Sequence, residues 1–177
     1  MLLYEGATYE RHYIMRNRIN LVIKMLIIIS PSCISSNASA FCFSQAGARY
    51  SIDPLLLKAI ARHESNLVPT AINYNKDNKG KVVSVDYGVM QVNSTHIPEL
   101  KRAGIIKSKD DLIDNPCLNV QIGAWILAKH LRQCGVNWMC LGSYNAGFNV
   151  NNDKKRMAYA KKIDSLYLDS LNKKKGA

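Results

Sequence analysis

Asp53-Pro54 opens a run, Leu55-Leu56-Leu57-Lys58-Ala59-Ile60-Ala61-Arg62-His63, that is apolar over most of its turns and closes on Glu64-Ser65. A side-chain acceptor followed by a proline marks a helix start, because the missing proline N–H has no partner to lose at the first helical position. A helix this apolar is expected in a core, with the rest of the chain built around it. It ends in a carboxylate and a hydroxyl where a core helix would carry another leucine. A carboxyl at the edge of an apolar core has its charged form desolvated and its pKa raised, as a general acid requires. A solvated glutamate at a helix end is the commoner occurrence, so Glu64 needs companions to count as a site.

The chain has 177 residues and 47% hydrophobic content, enough for one domain with a real core. Residues 1–40 read as a signal peptide. Arg16, Arg18 and Lys24 precede the apolar run Met25-Leu26-Ile27-Ile28-Ile29, and Ala38-Ser39-Ala40 is a small-x-small cleavage signal. Met15 is an alternative start. The run is short for a dedicated membrane anchor, so membrane tethering arises only if this segment stays uncleaved. Cys33 follows Ser30-Pro31-Ser32, a poor lipidation context. Residues 41–177 keep 20 of the 24 Lys and Arg and 11 of the 13 Asp and Glu, a net charge of +9.

Four cysteines remain after residue 40: Cys42, Cys117, Cys134 and Cys140. An even number in an exported chain points to two disulfides among three pairings. The favoured pairing is Cys42–Cys117 with Cys134–Cys140, the second closing a short loop. Zinc is disfavoured, because no Cys-x-x-Cys pair exists and His63, His96 and His130 are scattered. No cofactor is expected.

Helical spacing over Cys42–Tyr50 leads into the Asp53 cap. Asn78-Lys79-Gly80 is turn chemistry, and Lys81–Tyr87 is rich in β-branched residues, so one two-stranded hairpin is the only β-structure expected. Ser94 is placed to cap a helix through Leu100 to Ala103, and Ser108 another turn over Lys109–Leu112. Asn115-Pro116 repeats the cap-and-proline signal before a long helix, Cys117–Gln133. Its apolar positions surround most of it, and Gly135 stops it. A helix from Trp138 ends near Gly147. Asp153 caps a last one through Leu171, after which Lys173-Lys174-Lys175 frays. The domains expected are 1–40 signal peptide, 41–150 catalytic domain and 151–177 basic helix and tail.

Three distant segments bring polar residues to places where helices meet tight turns: Glu64-Ser65, Gly88-Val89-Met90-Gln91 and Tyr144-Asn145-Ala146-Gly147. With Tyr50–Ile60, Ala71-Ile72-Asn73 and Asp86–Asn93, in this order, residues 42–148 resemble the lysozyme-like lytic transglycosylases. They are closest to the small members that accompany secretion, invasion and conjugation machines. The resemblance implies a mainly α, lysozyme-like (goose-type or soluble lytic transglycosylase-like) helical domain with a small β-hairpin. It also implies a periplasmic enzyme that cuts peptidoglycan with 1,6-anhydro-muramic acid formation. Glu64 would be the catalytic acid/base and Ser65 its neighbour. Gln91 would contact substrate sugar, Tyr144 would orient or hydrogen-bond the Glu64 carboxyl, and Asn145 would shape the groove floor. Val89 stands where leucine is common and Ser143 where alanine is common. Neither change removes a polar group.

Asp86 leaves two alternatives. Across the groove from Glu64 it would position a water and make the enzyme a lysozyme-type hydrolase; otherwise it is a hairpin-end carboxylate capping the next turn. A non-catalytic wall-binding scaffold is the rival outside enzymes. Eight Lys and Arg in residues 154–177 stand against Asp164 and Asp169. That charge suits a solvated helix face, the anionic wall polymer, or an acidic component of a secretion or conjugation apparatus. Nucleic acid is not an expected partner, because aromatics do not interleave the basic runs. The expected state is a monomer binding peptidoglycan glycan strands.

Overall fold

A computed structural model describes residues 41–176. The signal-peptide reading, its alternative start and Cys33 lie outside the described residues. Helix α1 (Phe43–Tyr50) turns at Ser51 into α2 (Pro54–Ser65), where Asp53 Oδ1 accepts from Leu55 N at 2.8 Å as a cap. Asn66 and Leu67 both take positive φ and end α2. Three antiparallel strands follow in the order β1 (Ile72–Lys76), β2 (Val82–Tyr87), β3 (Val92–Asn93). The hairpin is therefore joined by a third strand, paired through Asp86↔Asn93 and Tyr87↔Val92.

After a 3₁₀ turn over Ser94–His96 come α3 (Ile97–Arg102) and α4 (Asp111–Asp114). Asn93, not Ser94, caps the turn by accepting from Thr95 N at 3.0 Å; Ser94 Oγ instead accepts from Val85 N on β2. Ser108 Oγ accepts from Asp110 N, so it starts the bend, and the α4 helix itself begins three residues later. Helix α5 (Pro116–Cys134) is capped by Asn115 and stopped by Gly135 at φ +91°. Helix α6 (Trp138–Ala146) and a 3₁₀ turn (Val150–Asn152) lead to α7 (Asp153–Lys175). Asp153 makes no cap bond; its carboxylate pairs with Arg156. The helix also runs past Leu171 to Lys175.

Two features make α5 central. Val120, Ala124 and Leu127 are fully buried, in the same core cluster as Leu57 and Ile60 of α2 and Met90 of the loop after β2. Gly123 lets that loop approach, since a Cβ there would lie 2.6 Å from Met90 Cβ. Disulfides Cys42–Cys117 and Cys134–Cys140 tie the first turn of α5 to the start of α1 and its last turn to α6. Helix α7, set apart in the sequence as a basic tail, buries Tyr159, Ala160 and Ile163 in the same core. Gly142 permits it to cross α6 at close range, because a Cβ there would lie 2.2 Å from the Arg156 carbonyl oxygen.

Candidate active site

Glu64 stands on the last turn of α2, where the buried face of Leu57, Ile60 and Ala61 meets a groove. Tyr159 of α7 donates its hydroxyl to Glu64 Oε1 at 2.6 Å. No other described side chain bonds the carboxyl, which leaves Oε2 for a ligand. Burial pushes the Glu64 pKa up to about 7; the Tyr159 bond opposes this, and the charge of Asp86 adds to it. Burial and the nearby carboxylate hold the Tyr159 hydroxyl well above the usual phenol range, so it remains a donor. No described Lys or Arg pairs with Glu64, and Arg62 is directed to Asp169 at 4.0 Å.

The groove floor is the loop between β2 and β3. Gly88 takes φ +77°, and a Cβ on it would lie 2.3 Å from Asn119 Nδ2 and 2.5 Å from the Leu112 carbonyl oxygen. Glycine is required both for the turn and for the approach. Asn119, fully buried in α5, donates to the carbonyls of Tyr87 (2.8 Å) and Leu112 (2.9 Å) and accepts from Met90 N (2.8 Å). Ser65 Oγ donates to Val89 O at 2.8 Å, and Tyr144 Oη to Met90 O at 2.8 Å. Three helices thus pin one loop. Gln91, at φ +48°, commits its side-chain nitrogen to Gly88 O (2.8 Å) and Ala71 O (3.2 Å), which leaves its amide oxygen for a ligand.

The opposite wall is the sheet. Asp86 Oδ2 accepts from Asn75 (2.8 Å) and Asn73 (3.2 Å), and Oδ1 from Asn93 (2.6 Å). Asn75 and Asn93 also donate to Ser84 Oγ at 3.1 and 3.0 Å. This polar face follows from the register Asn73↔Asp86↔Asn93, which sets three side chains in one row. Asp86 therefore does not cap the next turn, whose Gly88 N–H goes to Ala71 O.

Glu64, Asp86, Gln91, Tyr144 and Asn145 all line this groove of about 460 Å³. Ser65 does not line it; its hydroxyl holds the floor from behind. The bond to Glu64 expected of Tyr144 is made by Tyr159, because the Tyr144 hydroxyl is used by the Met90 carbonyl. Sequence reasoning passed over Tyr159 and Asn119. An asparagine inside the apolar run of α5 was the available signal for the second; nothing local marks the first. Among the described residues no group of three His, Cys, Asp or Glu is placed to hold a metal.

Residues 41–167 match the family model described as Transglycosylase SLT domain. A "Peptidoglycan-binding-like protein" of Escherichia coli O157:H7 is 51% identical over 86% of this chain and 95% of its own length. "Invasion protein IagB" of Salmonella typhimurium is 41% identical over 72% of this chain and 76% of its own. An inactive mutant of the lytic transglycosylase Slt from Pseudomonas aeruginosa shares the fold at TM-score 0.58 and 19% identity, over 77% of this chain and 24% of that one.

Proposed function

This chain belongs to the transglycosylase SLT family of peptidoglycan lytic transglycosylases, and on that premise we propose that Glu64 cleaves the β-1,4 bond between N-acetylmuramic acid and N-acetylglucosamine in the periplasm. Departure of a sugar oxygen from an acetal needs a proton on that oxygen and stabilisation of an oxocarbenium-like centre. Glu64, protonated because its pKa stands near 7, donates to the bridging oxygen as the bond to the anomeric carbon breaks. The resulting carboxylate then takes the proton of the muramic acid 6-hydroxyl while that oxygen bonds the anomeric carbon. Glu64 ends as it began, and water is not consumed. The observation that carries the reading is one desolvated carboxyl, free on Oε2, facing a groove with no cation paired to it.

In this reading Gln91 and Asn145 bind the glycan, and Ser65 and Tyr144 hold the floor against which it lies. Local opening of the wall for an envelope-spanning apparatus is the cellular role proposed, supported by the invasion protein among the relatives. A second reading, hydrolysis of the same bond, is favoured by Asp86 on the opposite wall, whose charge reaches Glu64. Digestion of purified sacculi, with mass spectrometry of the released fragments, decides between them. The transglycosylase product is one water lighter than the reducing end a hydrolase leaves. Release by Glu64→Gln at the wild-type rate would overturn Glu64 as the catalyst in both readings, and absence of release by the wild type would leave a wall-binding scaffold.

A further inference from the structure

One part of the groove wall is used by nothing above: His130 at the end of α5, Phe148 beyond α6 and, behind them, Ser143. Ser143 is fully buried, and its hydroxyl donates to the Cys140 carbonyl at 2.6 Å. A hydroxyl has one proton, so toward His130 Nδ1, at 2.8 Å, the Ser143 oxygen is an acceptor. The imidazole must then carry its hydrogen on Nδ1, and in the neutral ring Nε2 is a bare acceptor. Burial, with His96 and Lys129 close by, holds the ring below its ordinary pKa against an opposing contact with the Ser143 backbone, and so favours the neutral imidazole. The Phe148 ring, with centroids 4.6 Å apart, packs on the imidazole and fixes its plane.

We propose that His130 is a substrate-binding residue of the groove, its Nε2 accepting a hydrogen bond from an amide N–H or hydroxyl of an amino-sugar ring that rests against Phe148, with Ser143 as the positioning residue that sets the tautomer. This rests on the glycan reading of the groove and adds a recognition element to it. An apolar ring face beside an oriented polar group matches a sugar, which presents C–H faces and donor edges together. The departure from alanine at position 143 acquires a purpose: an alanine there would leave Nδ1 without its acceptor and the tautomer unset.

The test uses the full protein in the inactive Glu64→Gln background, with soluble uncrosslinked peptidoglycan strands titrated by calorimetry. Adding His130→Phe, which keeps an aromatic ring and loses the acceptor, is expected to weaken binding roughly three- to tenfold. His130→Gln, which restores an acceptor, is expected to recover most of it. Ser143→Ala is expected to give a smaller loss. Long-range ¹H–¹⁵N spectra of the wild type are expected to show the Nδ1–H tautomer, with the Nε2 signal moving when strands are added, and a tautomer mixture in Ser143→Ala. Undiminished binding by folded His130→Phe, or an Nε2–H tautomer in the wild type, would overturn the assignment of His130 alone. Failure of Glu64→Gln to bind any strand would overturn the glycan reading with it.

Discussion

The two walls of the groove each present a carboxylate, and they treat it in opposite ways. Glu64 stands on an apolar helix, loses its water, and receives one hydrogen bond from a tyrosine at the far end of the chain. Asp86 stands on the middle strand of a small sheet and receives amide donors from Asn73, Asn75 and Asn93, on both oxygens. A group that must exchange a proton needs a free oxygen and a pKa near the working pH. A group held by three donors is built to stay where it is. The difference between the walls is one of partners supplied, since both residues are simple carboxylic acids.

The largest expected effect separates the two directly. Glu64→Gln should lower turnover on sacculi by ~10²–10⁴-fold, and Asp86→Asn by about tenfold, through misalignment of its amide partners. Equal losses would break the contrast and favour two-carboxylate hydrolysis. Stability should move the other way. Between its ordinary value of 4.5 and its raised value of about 7, folded Glu64 holds a proton that the unfolded chain has released. Stability therefore falls as pH rises through that window. Denaturant melts should show Glu64→Gln gaining about 3 kcal/mol on the wild type between pH 4 and pH 8. Asp86→Ala should instead lose about 1–2 kcal/mol by stripping three amides of their acceptor.

Two smaller changes sharpen the same contrast. The Tyr159 bond pulls the Glu64 pKa down, so Tyr159→Phe should raise it and carry the alkaline limb of the pH–rate profile upward. A downward shift would mean that the phenol supports the protonated acid instead. Asn75→Ala removes one of three donors on the sheet wall and should cost about 0.5–1.5 kcal/mol, with less than about a threefold change in rate.

The helical frame was legible because its signals are local. Asp53-Pro54 and Asn115-Pro116 each mark a helix whose first turn is capped as a dipeptide leads one to expect. Where two candidate caps sit side by side, as at Asn93 and Ser94, the sheet decided by taking the Ser94 hydroxyl for Val85. Strand β3 escaped notice because two residues carry no periodicity; its pairing with Asp86 and Tyr87 of β2 defines it. The partner of Glu64 escaped for a different reason. Tyr159 lies 95 residues away, inside a helix whose composition advertises charge, and its role arises from the crossing of α6 and α7 at Gly142. Tyr144 was drawn into the site by its motif, and it does serve the site, one carbonyl removed from the carboxyl.

Helix α5 is a beam clamped at both ends. Cys117 bolts one end to α1 and Cys134 bolts the other to α6, and between them Asn119 carries the loop and His130 the wall. Reductant would release both clamps without touching any residue that meets the substrate. A chain whose thiols have not yet been oxidised therefore owns every group the groove requires and lacks only the bracing that holds them in line.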